Sequence, residues 1–167
     1  MDLGEGGTTG FPVVFGEYFL KNGADSPENF FAYDDFDGTY DTGGIINGFL
    51  HSYAPHAGDW NTGDPEWAGG RGHNIIGAIN YLSSQDVNSI YIITYTIDGG
   101  DGGDTWVWTS DTERERFDVS KLDQWEIVFD HMTQMGLQIH LVTQEIENDE
   151  LLGGVGTLND VRRLYYR

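Results

Sequence analysis

The sequence predicts an α/β fold, read as the first three strand–helix units of a TIM-type (β/α)8 barrel with parallel strands, truncated before closure. Three observations carry this expectation. A short apolar strand runs into a Gly/Asp/Glu-rich loop and then a helix three times along the chain. That alternation calls for a parallel sheet with helices packed on it. The last residues, Leu164-Tyr165-Tyr166-Arg167, continue a helical pattern with no Gly, Asn or Pro to end it, and an open three-stranded parallel sheet under so few helices is not a finished domain.

Residues 1–10 are Gly/Thr-rich and read as a lead-in, with the partial barrel over 11–167. Residues 11–15 and 17–22 read as two short strands with a turn at Gly16, the first barrel strand falling at about 18–22. Pro27 then favours a turn or a helix start, with Ser26 as a cap. Between 33 and 70 no period of 2 or 3.6 is sustained, yet the segment carries Tyr33, Phe36, Tyr40, Phe49, Tyr53, Trp60 and Trp67. A loop this long and this aromatic is expected to fold over something, on the ligand face.

Helix one is expected over 73–84, with Ile75, Ile76, Ile79 and Leu82 on one face. Strand two is expected over 89–97, with Tyr91, Ile93, Tyr95 and Ile97 on one face and Thr94, Thr96 and Asp98 on the other. Helix two is expected over 120–135, capped by Ser120 with Asp123 three residues on, and ended by Gly136. Strand three is expected over 137–143, Leu137, Ile139 and Leu141 facing helices and Gln138, His140, Val142 and Gln144 facing the other way. Helix three begins at about Leu158.

Composition narrows the function classes. The formal charge is −20, from 28 acidic against 8 basic residues. Such a surface repels phosphate backbones and anionic lipid, so nucleic acid and membrane-surface roles are disfavoured; it suits cations, neutral polymers or a salty exterior. No apolar run approaches the roughly 18 residues of a membrane span. Cysteine is absent, which removes disulfides, thiolate nucleophiles and Cys-ligated zinc. No signal peptide is visible in Met1-Asp2-Leu3-Gly4-Glu5, although Met1 of a fragment would be internal.

In α/β folds the loops after the strands' C-terminal ends form the ligand face. Here these loops carry Asp25, Glu28 and Asn29, then Asp98, Asp101 and Asp104, then Gln144, Glu145, Glu147 and Asn148. All three are polar and acidic, which is expected either of a site or of the solvated surface of an acidic protein. The run Gly99-Gly100-Asp101-Gly102-Gly103-Asp104 matches one unit of a calcium-binding nonapeptide repeat. No second copy exists, so a single calcium held by Asp98, Asp101 and Asp104 stands against a glycine loop that lets backbone approach a ligand. His51 and His56 flank Ser-Tyr-Ala-Pro without zinc-motif spacing, and sugar contacts suit them better. His140 is a polar group on the inner strand face, for a hydrogen bond or for substrate. Trp60, Trp67, Trp106 and Trp108 fall in loops, where aromatic faces beside carboxylates suit pyranose rings or else pin the loops to the core. No nucleophile elbow, phosphate loop or dinucleotide fingerprint is present.

Several segments carry a resemblance. They are Gly23-Ala24-Asp25-Ser26-Pro27-Glu28-Asn29-Phe30, His51-Ser52-Tyr53-Ala54-Pro55-His56, Phe117-Asp118-Val119-Ser120-Lys121-Leu122-Asp123-Gln124-Trp125, Thr143-Gln144-Glu145, Asn148-Asp149 and Arg163-Leu164-Tyr165-Tyr166-Arg167. Over residues 17–167 the chain resembles bacterial glycosidase-like (β/α)8 barrel proteins that carry an immunoglobulin-like domain of unknown function before the barrel. Many of these carry a domain described as collagen-binding after it. The resemblance implies a secreted or periplasmic carbohydrate-active barrel whose acid/base glutamate follows the fourth strand, beyond Arg167. Glycosidases need two carboxyls flanking the scissile bond. Within this chain Glu145 and Glu147 are the candidate catalytic residues, expected to bind or orient substrate rather than to form the true pair. The expected function is therefore an N-terminal fragment of a glycoside hydrolase-like protein, inactive alone and contributing part of a polysaccharide cleft. Its substrate-binding residues would be Asp25, Glu28, Asn29, His51, His56, Trp60, Trp67, Asp98, Trp106, His140, Gln144 and Asn148. No cofactor is required, and calcium is the one candidate ligand ion. Two other readings stand beside this one: a self-contained carbohydrate- or calcium-binding module, and a chain that associates with itself through an exposed sheet edge.

Overall fold

Two helices packed on one face of a small parallel sheet organise the chain, a mixed α/β arrangement. The computed structural model describes residues 20–23, 27–43, 48, 50–98, 102–144, 148 and 151, with Asp98 through its backbone only. The strand expected at 11–15, most of the one at 17–22 and the helix from Leu158 lie outside the described residues.

Helix α1 spans His73–Ser84, with the expected bounds. Its Ile75, Ile76 and Ile79 recur at helical spacing and are fully buried. Helix α2 spans Val119–Gln134. Its cap is Asp118 rather than Ser120: the Asp118 backbone is extended and its carboxylate accepts from the Lys121 N–H at 3.1 Å. Ser120 lies inside the first turn and donates its hydroxyl to Asp37 instead. At the other end Gly136, at φ +78, lets the Leu137 N–H return to the Met132 carbonyl at 2.9 Å.

Strand β1, Ser89–Ile93, pairs in parallel with the last described strand, β4, Gln138–Val142. Ile90 lies opposite Ile139 and Ile92 opposite Leu141 on the face toward the helices; Tyr91 opposes His140 on the other face. The described residues thus hold one parallel pair, not three strand–helix units. The strand expected over 89–97 is broken. The ladder to β4 ends where the Thr94 N–H meets the Val142 carbonyl at 3.0 Å. The chain then leaves as β2, Thr96–Asp98, which pairs antiparallel with β3, Gly103–Thr105. Ile90 and Ile92 share the helix-side core with Tyr95 and Ile97. The alternation therefore shifts by one residue between Ile92 and Tyr95, which the expected strict parity did not allow.

On the edge of β1 away from β4, Asn22 and Glu28 flank its two ends. The Asn22 N–H donates to Asn88 Oδ1 at 2.7 Å and the Asn88 N–H to the Asn22 carbonyl at 2.9 Å. At the other end of β1 the Ile93 N–H reaches the Glu28 carbonyl at 2.9 Å. Asn22 to Glu28 therefore follows the direction of Asn88 to Ile93. A Cβ on Gly23 would stand 1.9 Å from the Ser89 carbonyl oxygen, so only glycine permits this approach.

The long aromatic loop is folded, as expected. Tyr33 and Trp67 are buried against Phe36, which in turn packs on Phe31 and on Trp125 of α2. A 3-10 helix over Ala54–Asp59 packs along α1. No described helix is long and apolar enough to cross a membrane.

Candidate functional site: a junction of three loops

Asn29 is the hinge of the described site. It is 1% exposed, and its Nδ2 donates to the Gly103 carbonyl at 3.1 Å while its Oδ1 faces His51 Nε2 at 2.9 Å. With Nδ2 donating to Gly103, Oδ1 must accept, so His51 carries its proton on Nε2 and keeps the Nδ1 lone pair. Burial pushes the His51 pKa below its ordinary value, so the ring is neutral at pH 7. The glycine loop does let backbone approach closely, but the group approached is Asn29: a Cβ on Gly102 would stand 3.0 Å from the Asn29 Cβ.

The third loop joins the same end of the sheet. Asn148 is fully buried and its Oδ1 accepts from the Ile97 N–H at 3.0 Å. Thr94 Oγ1 donates to the Thr143 carbonyl at 3.0 Å, tying the tops of β1 and β4, with Gln144 next in the chain and half-buried. Past the C-terminal end of β1, Asn29 of the first loop thus meets Gly103 of the second and His51 of the long loop, while Asn148 of the third is held on Ile97 of β2. The junction is made of amides, hydroxyls, carbonyls and one neutral imidazole. Its buried members spend these hydrogen bonds on one another, and His51 is the half-buried group at its border. Asp25, Asp101, Glu145 and Glu147 lie outside the described residues, and so does the Asp98 side chain.

The remaining expected residues are placed elsewhere. His56 pairs with Asp59 at 2.9 Å and lies against Tyr81 in the last turn of α1. Beside them Phe30, Tyr53, Leu82, Val87 and Ile90 line a mainly apolar cavity of about 240 Å³. Trp60 stacks on His73 with ring centroids 3.9 Å apart at the start of α1. Trp67, Trp106 and Trp108 are core residues, their faces taken by Phe36, Lys121 and Phe117 respectively. For these three, pinning loops to the core is the role the packing supports. His140 stands exposed at mid-strand with Lys21 Nζ 3.1 Å from its Nδ1 and Tyr91 edge-on. Asp104 is buried, and its Oδ1 accepts from both the N–H and the hydroxyl of Thr42, at 3.0 and 2.7 Å. Burial raises its pKa, and a backbone φ of +63 adds local strain. Its carboxylate holds a loop. No group of three or more His, Asp or Glu among the described residues is placed to hold a metal ion.

A charged clamp ties the long loop to the start of α2. Arg71 donates to Asp35 Oδ1 and Asp37 Oδ1, both at 2.7 Å, and also to the Asp35 carbonyl. Hydrogen bonding from Ser120, then Arg71, holds the Asp37 carboxyl below its usual range. Lys121, 1% exposed, donates to the carbonyls of Gly38 at 3.1 Å and Trp106 at 3.3 Å with its ammonium 4.5 Å above the Trp106 ring. Burial outweighs the fields of Asp118 and Asp37 and pulls Lys121 down to about 8. None of this was read from the sequence. The available signal was Lys121 on the stripe with Trp125, Val128 and Met132, a cation where the helix buries its apolar side.

A pH dependence follows from two histidines. His131 is buried in α2 with Nε2 2.8 Å from Asn80 Oδ1, and burial lowers its pKa as it does that of His51. The unfolded chain therefore takes up these protons first. Their contribution is complete above the ordinary value of 6.5 and is lost as pH falls below it. Asp34 and Asp104, both raised chiefly by burial, oppose this trend. The urea midpoint is expected to fall between about pH 7.5 and about pH 5.5, with the slope flattened in His131→Gln. An unchanged slope in that variant would refute the assignment.

Comparison with known protein families, curated proteins and solved structures finds no match.

Proposed function

We propose that this chain forms the opening part of a glycoside hydrolase-like (β/α)8 barrel of an exported bacterial protein, lining part of a polysaccharide-binding cleft without turnover of its own. The observation that carries the reading is the convergence of the three loops at Asn29, Gly103 and Asn148, beyond the same ends of the parallel strands. The direction and order of the chain before Phe30, β1 and β4 support it as well, since sequential parallel neighbours are how such a barrel begins. The segments in which the chain resembles glycosidase-like proteins include Asn29 and His51, which supports the same reading.

In this reading the neutral junction binds hydroxyls, with His51 Nδ1 as an acceptor and the Asn29 amide holding the ring in place. Glu28 and Gln144 belong to the same cleft. Both hydrolytic carboxyls are needed for bond cleavage, and the acid/base member belongs to a strand after β4.

The test is amide-resolved NMR with a panel of neutral oligosaccharides at millimolar concentration, alongside a reducing-end assay. Shifts at the Asn29 side chain, His51 and Gly103 with no released ends are expected. No shift with any sugar, or shifts confined to the Tyr81 cavity, would overturn the cleft. Hydrolysis abolished by Glu145→Gln would overturn the absence of turnover.

A further inference from the structure

We infer that the folded state of this chain is salt-dependent: its carboxylates repel one another, along the outer face of α2 above all, and concentrated monovalent salt holds the fold together by screening them. The charge balance is the starting point. Eight basic residues stand against 28 acidic ones, and only Lys21 and Lys121 are lysines. A net charge this far from zero destabilises a compact state through self-repulsion. The balance counts every residue of the chain, so it does not turn on which of them are described.

The described cations do little to offset it on the outside. Lys121 is buried on two carbonyls and the Trp106 ring. Arg114 turns its Nη1 to the carbonyls of Asp111 and Glu113, at 2.5 and 2.6 Å, and lies over the Tyr95 ring. Arg71 is shared between Asp35 and Asp37. Arg116, largely exposed, pairs with Glu113.

Helix α2 shows the repulsion in its most regular form. Asp123, Glu126 and Asp130 are exposed at spacings of three and four residues, which sets them side by side on the helix, where like charges destabilise it. The helix has one lysine and no arginine, and that lysine, Lys121, is turned inward. Like charges also crowd in the loops. Burial chiefly raises the Asp104 pKa, and the charges of Asp41 and Asp111 add to it; Asp34 is raised by burial and then by Asp35. Ionic strength, rather than a particular ion, relieves charges spread in this way. The screening length falls from about 30 Å at about 0.01 M salt to about 3 Å at about 1 M. In dilute buffer each carboxylate therefore feels most of the others. In concentrated salt the screening length is shorter than the roughly 5–6 Å between neighbouring positions on α2. The inference does not rest on the cleft reading, because it needs no ligand.

Urea unfolding of the full chain at pH 7.5, followed by circular dichroism in sodium chloride and in potassium chloride from about 0.01 M to about 1 M, tests it. The midpoint is expected to rise with either salt alike, most steeply at the dilute end, and a chain unfolded in dilute buffer should regain its helix signal on adding salt. Two variants separate screening from the general effect of salt on apolar burial. Glu126→Lys places a cation between Asp123 and Asp130, and the triple variant Asp123→Asn, Glu126→Gln, Asp130→Asn removes the stripe. Both are expected to have a higher midpoint than the unmodified chain in dilute buffer and a shallower rise with salt. A midpoint that is flat or falls with salt, a rise confined to one of the two cations, or the same salt dependence in all three proteins would overturn the proposal. So would a chain that stays unfolded in concentrated salt.

Discussion

Trp106→Ala is expected to cost about 3–5 kcal/mol, the range for truncating a buried aromatic. Trp106 follows β3 directly, is 0% exposed, and has the Tyr40 ring edge-on with centroids 5.0 Å apart. Truncation opens a cavity under the long loop and removes the ring face from the Lys121 ammonium, leaving a buried cation with only its carbonyl partners. Against a typical net stability of about 5–15 kcal/mol, that loss is a large share of what holds the fold. Trp106→Phe separates volume from polarity. The indole Nε1 has no hydrogen-bond partner among the described residues, so Phe sacrifices no hydrogen bond and most of the stability should return. Urea unfolding followed by far-ultraviolet circular dichroism measures both. A Trp106→Ala loss below about 1 kcal/mol would mean that the ring lies near the surface.

Asn29→Ala is expected to cost about 2–4 kcal/mol, because it strands a buried and a half-buried partner and each unsatisfied group costs about 1–3 kcal/mol. The Gly103 carbonyl loses its donor and the His51 Nε2–H its acceptor. Asn29→Asp should be no better, since a carboxylate sets a second acceptor against the Gly103 carbonyl. A double-mutant cycle with His51→Ala should be strongly non-additive, as expected of residues in one network. Faster amide exchange at Gly103 in Asn29→Ala would show that the junction, and not the helices, has loosened. Additive losses with unchanged exchange would contradict the role given to Asn29.

Periodicity made the helices legible. Ile75, Ile76 and Ile79 announce α1, and Gly136 announces the end of α2, because helix signals are local in the chain. The sequence points to Ser120 as the cap of α2, but Asp118, two residues earlier, takes that role, because tertiary contact gives the Ser120 hydroxyl to Asp37. The break after Ile93 was not legible. Ser89 to Ile97 alternates well enough for one strand, and only the demand that Tyr95 and Ile97 join the helix-side core shifts the register. The tryptophans misled for a related reason: Trp106 and Trp108 sit outside regular elements, as binding aromatics do, yet the chain folds them inward. Three polar loops were legible, but not that the Asn29 amide links Gly103 to His51. A buried amide leaves no mark on composition, charge or spacing.

The central claim is that three loops meet beyond the C-terminal ends of a parallel pair of strands. Nuclear Overhauser contacts in the isotope-labelled chain test it most directly. The account predicts contacts between the Asn29 side-chain amide protons and Gly103, between Asn148 and Ile97, and a β1–β4 pattern in register Tyr91 with His140. Strong Hα–Hα contacts between β1 and β4, which mark antiparallel strands, or an Asn29 amide without contact to Gly103, would contradict it.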